Sequence, residues 1–319
     1  MSTEAISPPR ESAPRQGTSL LARALRAATC FAFAPASAAP LAVLRIGLAS
    51  VLLVQAALVY PALHEIYSQS GILQGSLGDA FLQLDLPRIG WLIALLAPLG
   101  LPEATIITAT GVVYVLSLAA LLAGWRTRLA AGLCWFTHLM LMVTVDITNY
   151  GADIFANIFL FYLIWVPSGA ALSLDRRRRR ASAEPTTAAR LGLRVIQIHL
   201  CIAYLASGLH KAAGEQWWNG EAIWRSLMLP GYRQLDFSWL AYHPWIAMIL
   251  GWTVLLIEIG YPFLIWPRLT RRLWVAATVA LHVGIAVFMS LGIFGAIMSV
   301  LTVAAFAVSA EPGRRSLVA

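Results

Sequence analysis

Residues 191–211 read LGLRVIQIHLCIAYLASGLHK, and their reading decides the fold. The stretch is apolar over the roughly 20 residues an α-helix needs to cross a bilayer, and its charges gather at the ends, at Arg194 and at His210 and Lys211. Gln197, Tyr204 and Lys211 are spaced by seven, so a helix aligns them on one face, with Ser207 beside that line and His199 and His210 on a neighbouring stripe. An apolar helix with such a stripe that ends in His-Lys reads as the wall of a cavity open to the extracytoplasmic side.

Lys211 is the only lysine of the chain, against twenty-two arginines. Wherever else a fixed positive charge is needed the chain uses Arg; here it uses the cation that can lose its proton and act as a base. The competing reading is structural. A lysine at a helix end extends its amine to the lipid headgroups, and Trp217 and Trp218 just beyond it suit an interfacial belt.

The composition supports a membrane protein throughout. The 319 residues are 59% hydrophobic and 12% charged, and the mean hydropathy is +0.73. The net charge of +8 does not mark a nucleic-acid face, because most arginines lie in short loops between apolar segments. Cys30, Cys134 and Cys201 show no CxxC or CxxH spacing, so they read as free thiols and neither a disulfide nor a metal site is expected.

Spans are expected near 41–63, 104–124, 129–145, 154–174, 191–211, 244–266, 273–290 and 293–309. The last two form one apolar stretch broken only around Leu291 and Gly292, so seven spans is the alternative count. Residues 89–99 are apolar but short and suit an interfacial or re-entrant segment. Arg126 and Arg128, then 176–180 with Arg190 and Arg194, then Arg268, Arg271 and Arg272, and finally Arg314 and Arg315 fall in alternate loops. The opposite loops carry Glu65, Asp79, Asp85, Glu103, Asp146, Asp153, Glu215, Glu221 and Asp236, with Arg88, Arg225 and Arg233 as their only arginines. By the positive-inside rule both termini face the cytoplasm and Lys211 faces the other side.

The reading is therefore an all-α, polytopic integral membrane protein with about eight transmembrane helices in the lipid bilayer. Residues 1–40 form a cytoplasmic tail, disordered over 1–19, with a short amphipathic helix near 20–33. Residues 41–309 form the transmembrane domain with a cytoplasmic linker at 175–190, and residues 310–319 a second cytoplasmic tail. Cleavage after the signal-like residues 36–38 would invert every downstream loop, and the loop charges argue against it. No internal repeat points to an inverted-repeat transporter.

Ionisable groups inside spans are costly, so each needs a partner or a task. Asp146, Asn149, Tyr150, Asp153 and Asn157 lie at the same membrane boundary as Lys211, and Asp153 is a candidate to pair with it. Arg45 sits near the cytoplasmic end of its span and reads as a capping or extending residue. Gln55 lies deeper in that span, Glu258 in the sixth span must find a cation or water, and His138 and His282 read equally as packing or functional groups.

Four segments carry a resemblance to a known family. They are residues 41–47 (LAVLRIG); 149–175, ending in PSGAALSLD; 204–211 (YLASGLHK) followed by Trp217 or Trp218, Gly220 and Ala222; and His282 with Met289, Gly292 and Phe294. In this order they resemble the membrane domain shared with vitamin K-dependent gamma-carboxylases, the HTTM (horizontally transferred transmembrane) family. The resemblance spans most of 41–309. It implies that Lys211, at the end of a Tyr-x-x-x-Gly-x-x-Lys motif, deprotonates a reduced quinone like vitamin K hydroquinone, whose oxygenation product removes a proton from a peptide glutamate. The chain departs from the carboxylases at Asn149-Tyr150-Gly151, where they have an Asn-His pair, and ends about ten residues after the last span, where they continue into a large lumenal domain. Its size and layout are more similar to the sporulation-delaying protein B family, small bacterial members that mature a secreted peptide alongside a partner protein.

These readings converge on a multi-pass protein of a bacterial inner membrane, either a carboxylase-like enzyme or a maturation factor for a secreted peptide precursor. Lys211 is the expected base with His210 and Tyr204 as its neighbours. Asn149, Asp153, Asn157, Glu258 and His282 are the expected positioning groups. The alternative is a non-catalytic membrane partner or scaffold for export or maturation of a secreted peptide toxin. A third class, a quinone-linked redox protein, is disfavoured by the lack of paired cysteines.

Overall fold

Helices make up the structure, a computed structural model that describes residues 20–71, 86–145, 149–179, 184–231 and 235–311. The terminal tails at 1–19 and 312–319, and the expected loop charges Asp79, Asp85, Asp146, Arg180, Arg233, Arg314 and Arg315, lie outside the described residues. In order the helices are α1 (Leu20–Phe33), α2 (Ala39–Val59), α3 (Leu63–Tyr67), α4 (Ile89–Leu96), α5 (Glu103–Ala123), α6 (Thr127–Thr144) and α7 (Gly151–Trp165). Then come α8 (Leu174–Arg179), α9 (Thr187–Ala212), α10 (Glu215–Trp218), α11 (Glu221–Met228), α12 (Pro244–Leu264), α13 (Arg268–Phe288) and α14 (Gly292–Thr302), which runs into a π turn, Val303–Ala307.

Five helical stretches are long and apolar enough to cross a membrane: Ala39–Tyr67, Glu103–Ala123, Thr187–Ala212, Pro244–Leu264 and Arg268–Phe288. The bundle is apolar outside as well as inside. Leu116 on α5, Ile202 on α9 and Leu256 on α12 are exposed, a pattern that suits a lipid solvent and not water. At the centre, Leu41, Leu44, Leu48 and Leu52 of α2 are buried against α5, α7 and α14.

Two expected boundaries shift or sharpen. The span at 154–174 is a helix only to Trp165. Pro167 has no N–H and restricts the residue before it, so the chain turns at Ser168–Ala170 and the rest of that apolar run is a built loop. The stretch at 273–309 does divide, with Ser290 in the left-handed region at φ 57° and α14 restarting at Gly292.

That built loop caps one end of the bundle. Arg45, fully buried, donates from Nη1 to the carbonyls of Leu121 (2.5 Å) and Leu122 (2.9 Å) and from Nη2 to that of Leu172 (2.6 Å). Its charge thus meets the negative end of the α5 dipole and satisfies carbonyls left over at the helix terminus. Leu172 is held at φ 47° with its carbonyl on Arg45. Asp175 covers the start of α6, accepting from the Arg126 and Thr127 N–H groups at 2.8 Å each and from Thr127 Oγ1 at 2.7 Å. The expectation that Arg45 caps or extends resolves to a cap.

Other segments meet at the same end. Ala36 pairs with Thr186, the Ser37 N–H donates to Ala310, and Arg190 Nε donates to Ala34. The α1 helix is exposed along its length and is tied down where Arg194 lies 3.9 Å over the ring of Phe31. The basic loops at 126–128, 176–179, 190–194 and 268–272 therefore share one end, here called the Arg45 end.

Replacing Arg45 by Met strands three carbonyls in an apolar setting. A charge-assisted hydrogen bond contributes roughly 1.5–3 kcal/mol, so Arg45→Met should lower stability by at least about 3 kcal/mol. Arg45→Lys should recover only part, since one ammonium cannot fork between two segments as a guanidinium does. Thermal unfolding of the detergent-solubilised protein, followed by circular dichroism, checks both.

Candidate functional site

At the opposite end, the position of Lys211 follows from a glycine one turn earlier. A Cβ added at Gly208 would lie 2.8 Å from Ile259 Cγ1, 2.9 Å from the Ile259 backbone nitrogen and 3.0 Å from Glu258 Cβ. The absence of a side chain at Gly208 lets α9 and α12 touch backbone to backbone, which brings Glu258 level with Lys211. Lys211 Nζ donates to Glu258 Oε1 at 2.5 Å and to Ser207 Oγ at 2.9 Å. It also lies 5.3 Å from the ring centre of Trp217 on α10. The Lys211 side chain is 23% exposed and that of Glu258 only 8%, so the pair is anchored inside on the Glu258 side.

A polar column continues inward from this pair. Tyr204 Oη and His282 Nε2 lie 2.7 Å apart, and the Tyr204 ring stacks on Tyr261 with centroids 4.1 Å apart. Tyr261 reaches Thr302 at 3.4 Å. Among the described residues, Glu258 Oε2 and His282 Nδ1 are buried without a protein hydrogen-bond partner, and such a group calls for a physical explanation. Gln197 extends the stripe toward the Arg45 end, donating to the Ala305 carbonyl inside the π turn at 2.6 Å. All three members of the heptad stripe thus bond across to neighbouring helices.

The structure separates the other candidates from this cluster. His210 is exposed, roughly 100° around the helix from Lys211. Asp153 does not pair with Lys211: its Oδ1 accepts from Gln55 Nε2 at 3.0 Å and its Oδ2 from the Tyr150 N–H at 3.5 Å. The reason is position in the bundle, since Asp153 starts α7 and faces α2, whereas Lys211 ends α9 and faces α12. Asn157 bonds to Trp135 and lies 3.4 Å from His138 Nδ1, and Asn149 donates to the Met142 carbonyl.

Asp153 belongs to a cavity of about 440 Å³ between α2, α3, α5, α6 and α7, lined among others by Gln55, Tyr67, Tyr114, His138 and Asn149. No residue of α9 lines it, so the polar stripe of residues 191–211 faces protein and the cavity lies elsewhere. Tyr150 and Phe294 stand between the two regions. Phe294 packs against His282 at 5.5 Å on one side and Tyr150 at 6.5 Å on the other.

Tyr261 and Thr302 are participants that the sequence reading missed. Tyr261 is three residues beyond Glu258, and that helical spacing is the signal that could have found it. Thr302 carries no comparable signal, because it meets Tyr261 only through packing of α14 on the bundle.

The backbone contact at Gly208 yields a direct test. Gly208→Ala should destabilise by about 1–3 kcal/mol, the range for overpacked interiors, while Gly132→Ala, where nothing lies within 4 Å, should be neutral or slightly stabilising. Unfolding midpoints in detergent measure the difference.

The sequence was also compared with known proteins. No curated protein and no solved structure matches it. One family model does, that of the HTTM domain, over residues 33–309. That match includes all four segments of the resemblance, the Arg45 cap and the Lys211–Glu258 pair, and the chain belongs to the HTTM domain family.

Proposed function

We propose that this multi-pass membrane protein is a carboxylase-like enzyme or peptide-maturation factor that acts on a secreted peptide with Lys211 as its base. The observation that supports this reading best is the chain's one lysine, held 2.5 Å from a buried carboxylate by a side chain that is itself partly exposed. The reading includes eight crossings, the arginine-rich Arg45 end in the cytoplasm with both termini, and Lys211 at the outer face of a bacterial plasma membrane. The arginine distribution supports that orientation.

A base must be free of its proton when substrate arrives. Glu258 Oε1, 2.5 Å from Lys211 Nζ, is the nearest acceptor for that proton. Gly208 sets the distance, Ser207 orients the amine, and Tyr204 with His282 closes the inner side against water. The surroundings suit an aromatic hydroxyl, since the Ser207 hydroxyl and the flat Trp217 face flank the amine. Lys211 and Trp217 would hold a reduced quinone there, and such a group supplies an acidic hydroxyl and reducing equivalents when bound. Glu258 and His282 act as positioning residues, whereas Asn149 and Asp153 line the neighbouring cavity and Asn157 bonds Trp135 beside it, all away from the amine.

The same short contact favours a second reading, a membrane scaffold for a secreted peptide in which Lys211 and Glu258 are only a structural ion pair. One substitution separates the two. Lys211→Arg keeps a cation for Glu258, so folding and membrane yield should persist. Loss of a positioned base should cut activity by roughly 10²–10⁴-fold. The readout is incorporation of labelled bicarbonate into a glutamate-containing secreted peptide, with reduced quinone supplied, or maturation of a co-expressed peptide precursor. Full activity of Lys211→Arg would overturn the base and leave the scaffold.

A further inference from the structure

The 440 Å³ cavity has a composition at odds with the rest of the chain. Among the described residues, four tyrosines line it, at 60, 67, 114 and 150, together with one carboxylate, Asp153, and no Lys or Arg. This occurs in a protein with 23 basic residues and a net charge of +8. The rest of the lining mixes polar side chains, Gln55, Thr108, His138 and Asn149, with apolar ones such as Leu63 and Leu141, and the volume suits a small organic molecule.

Among the described residues, Asp153 is held by two uncharged hydrogen-bond donors. One oxygen accepts from the Gln55 amide and the other from the Tyr150 N–H at the start of α7. Both donors are uncharged, and among the described residues no Lys or Arg forms an ion pair with Asp153. The phenol rings of Tyr67 and Tyr114 border the same space, the latter beside the His138 ring at 5.9 Å. A carboxylate held among phenol rings in a chamber lined largely by apolar side chains is the chemistry that recognises an ammonium group.

We infer that this cavity binds a hydrophobic organic cation, an alkyl-substituted ammonium whose charge meets Asp153 and whose apolar body fills the space between α2, α5 and α6. The ammonium can belong to a lipid amine headgroup or to a free lipophilic amine. The site is separate from Lys211 and does not depend on the base chemistry proposed for it.

The test uses the full chain in maltoside micelles and two probes of equal shape, 1-adamantanamine and the neutral 1-adamantanol, titrated calorimetrically. The amine should bind at least about tenfold tighter than the alcohol, as expected for a desolvated cation beside a carboxylate and ring faces. Asp153→Asn, which keeps a helix-capping side chain, should abolish that preference with unchanged helicity. Tyr114→Leu provides a second variant that leaves the α7 start intact and should weaken amine binding several-fold. Lys211→Arg should leave amine binding unchanged, so failure here is distinguishable from failure of the base reading. In lipid discs, weaker amine binding with phosphatidylethanolamine than with phosphatidylglycerol identifies a headgroup as the source, and equal binding identifies a free amine. Equal affinity for amine and alcohol, or retained preference in Asp153→Asn, overturns the inference.

Discussion

The backbone contact between α9 and α12 at Gly208 is the constraint on which the polar chemistry of this protein depends. Helices in lipid gain little from burying apolar side chains against each other, so close approach through small residues has to supply the packing. Here that approach leaves no space for a methyl group, and it delivers Glu258 to Lys211. The same device recurs at Gly47 against Val300, at Gly192 against Val166 and at Gly251 against the Trp217 carbonyl. The last of these places α10, and with it the indole beside the Lys211 amine.

The segments that carry the family resemblance meet in space in two pairs. Residues 41–47 and 167–175 build the cap in which Arg45 bonds Leu121, Leu122 and Leu172 while Asp175 covers the start of α6. Residues 204–211 meet His282 through Tyr204, and His282 in turn packs on Phe294. One pair fastens an end of the bundle, and the other assembles a column of titratable groups near the opposite end. This division gives a buried arginine that touches no cavity a structural reason to lie within a recognisable segment: it fastens the frame of the bundle.

Much of this was legible in the sequence. Seven-residue spacing put Gln197, Tyr204 and Lys211 on one helical face, and each bonds a neighbouring helix. The cost of a charge in a span required a partner for Glu258, though not the identity of that partner. Asp153 was expected near Lys211 because both lie at one membrane boundary, yet depth says nothing about position around the bundle, and Asp153 bonds Gln55 instead. His210 adjoins Lys211 in the chain but points elsewhere because neighbours on a helix diverge by roughly 100°. The apolar run after Trp165 read as more helix because hydropathy does not register the turn that Pro167 imposes.

The sequence by itself determined the all-helical membrane character, the helix faces that are polar and the gathering of arginines in alternate loops, because these follow from hydropathy, the helical period and charge placement, all local properties. Only the tertiary structure decided that Lys211 meets Glu258, that Asp153 turns to a separate cavity and that Phe294 stands between them. Those outcomes depend on which helices approach closely enough to touch, and that depends on glycines and partner side chains far apart in the chain.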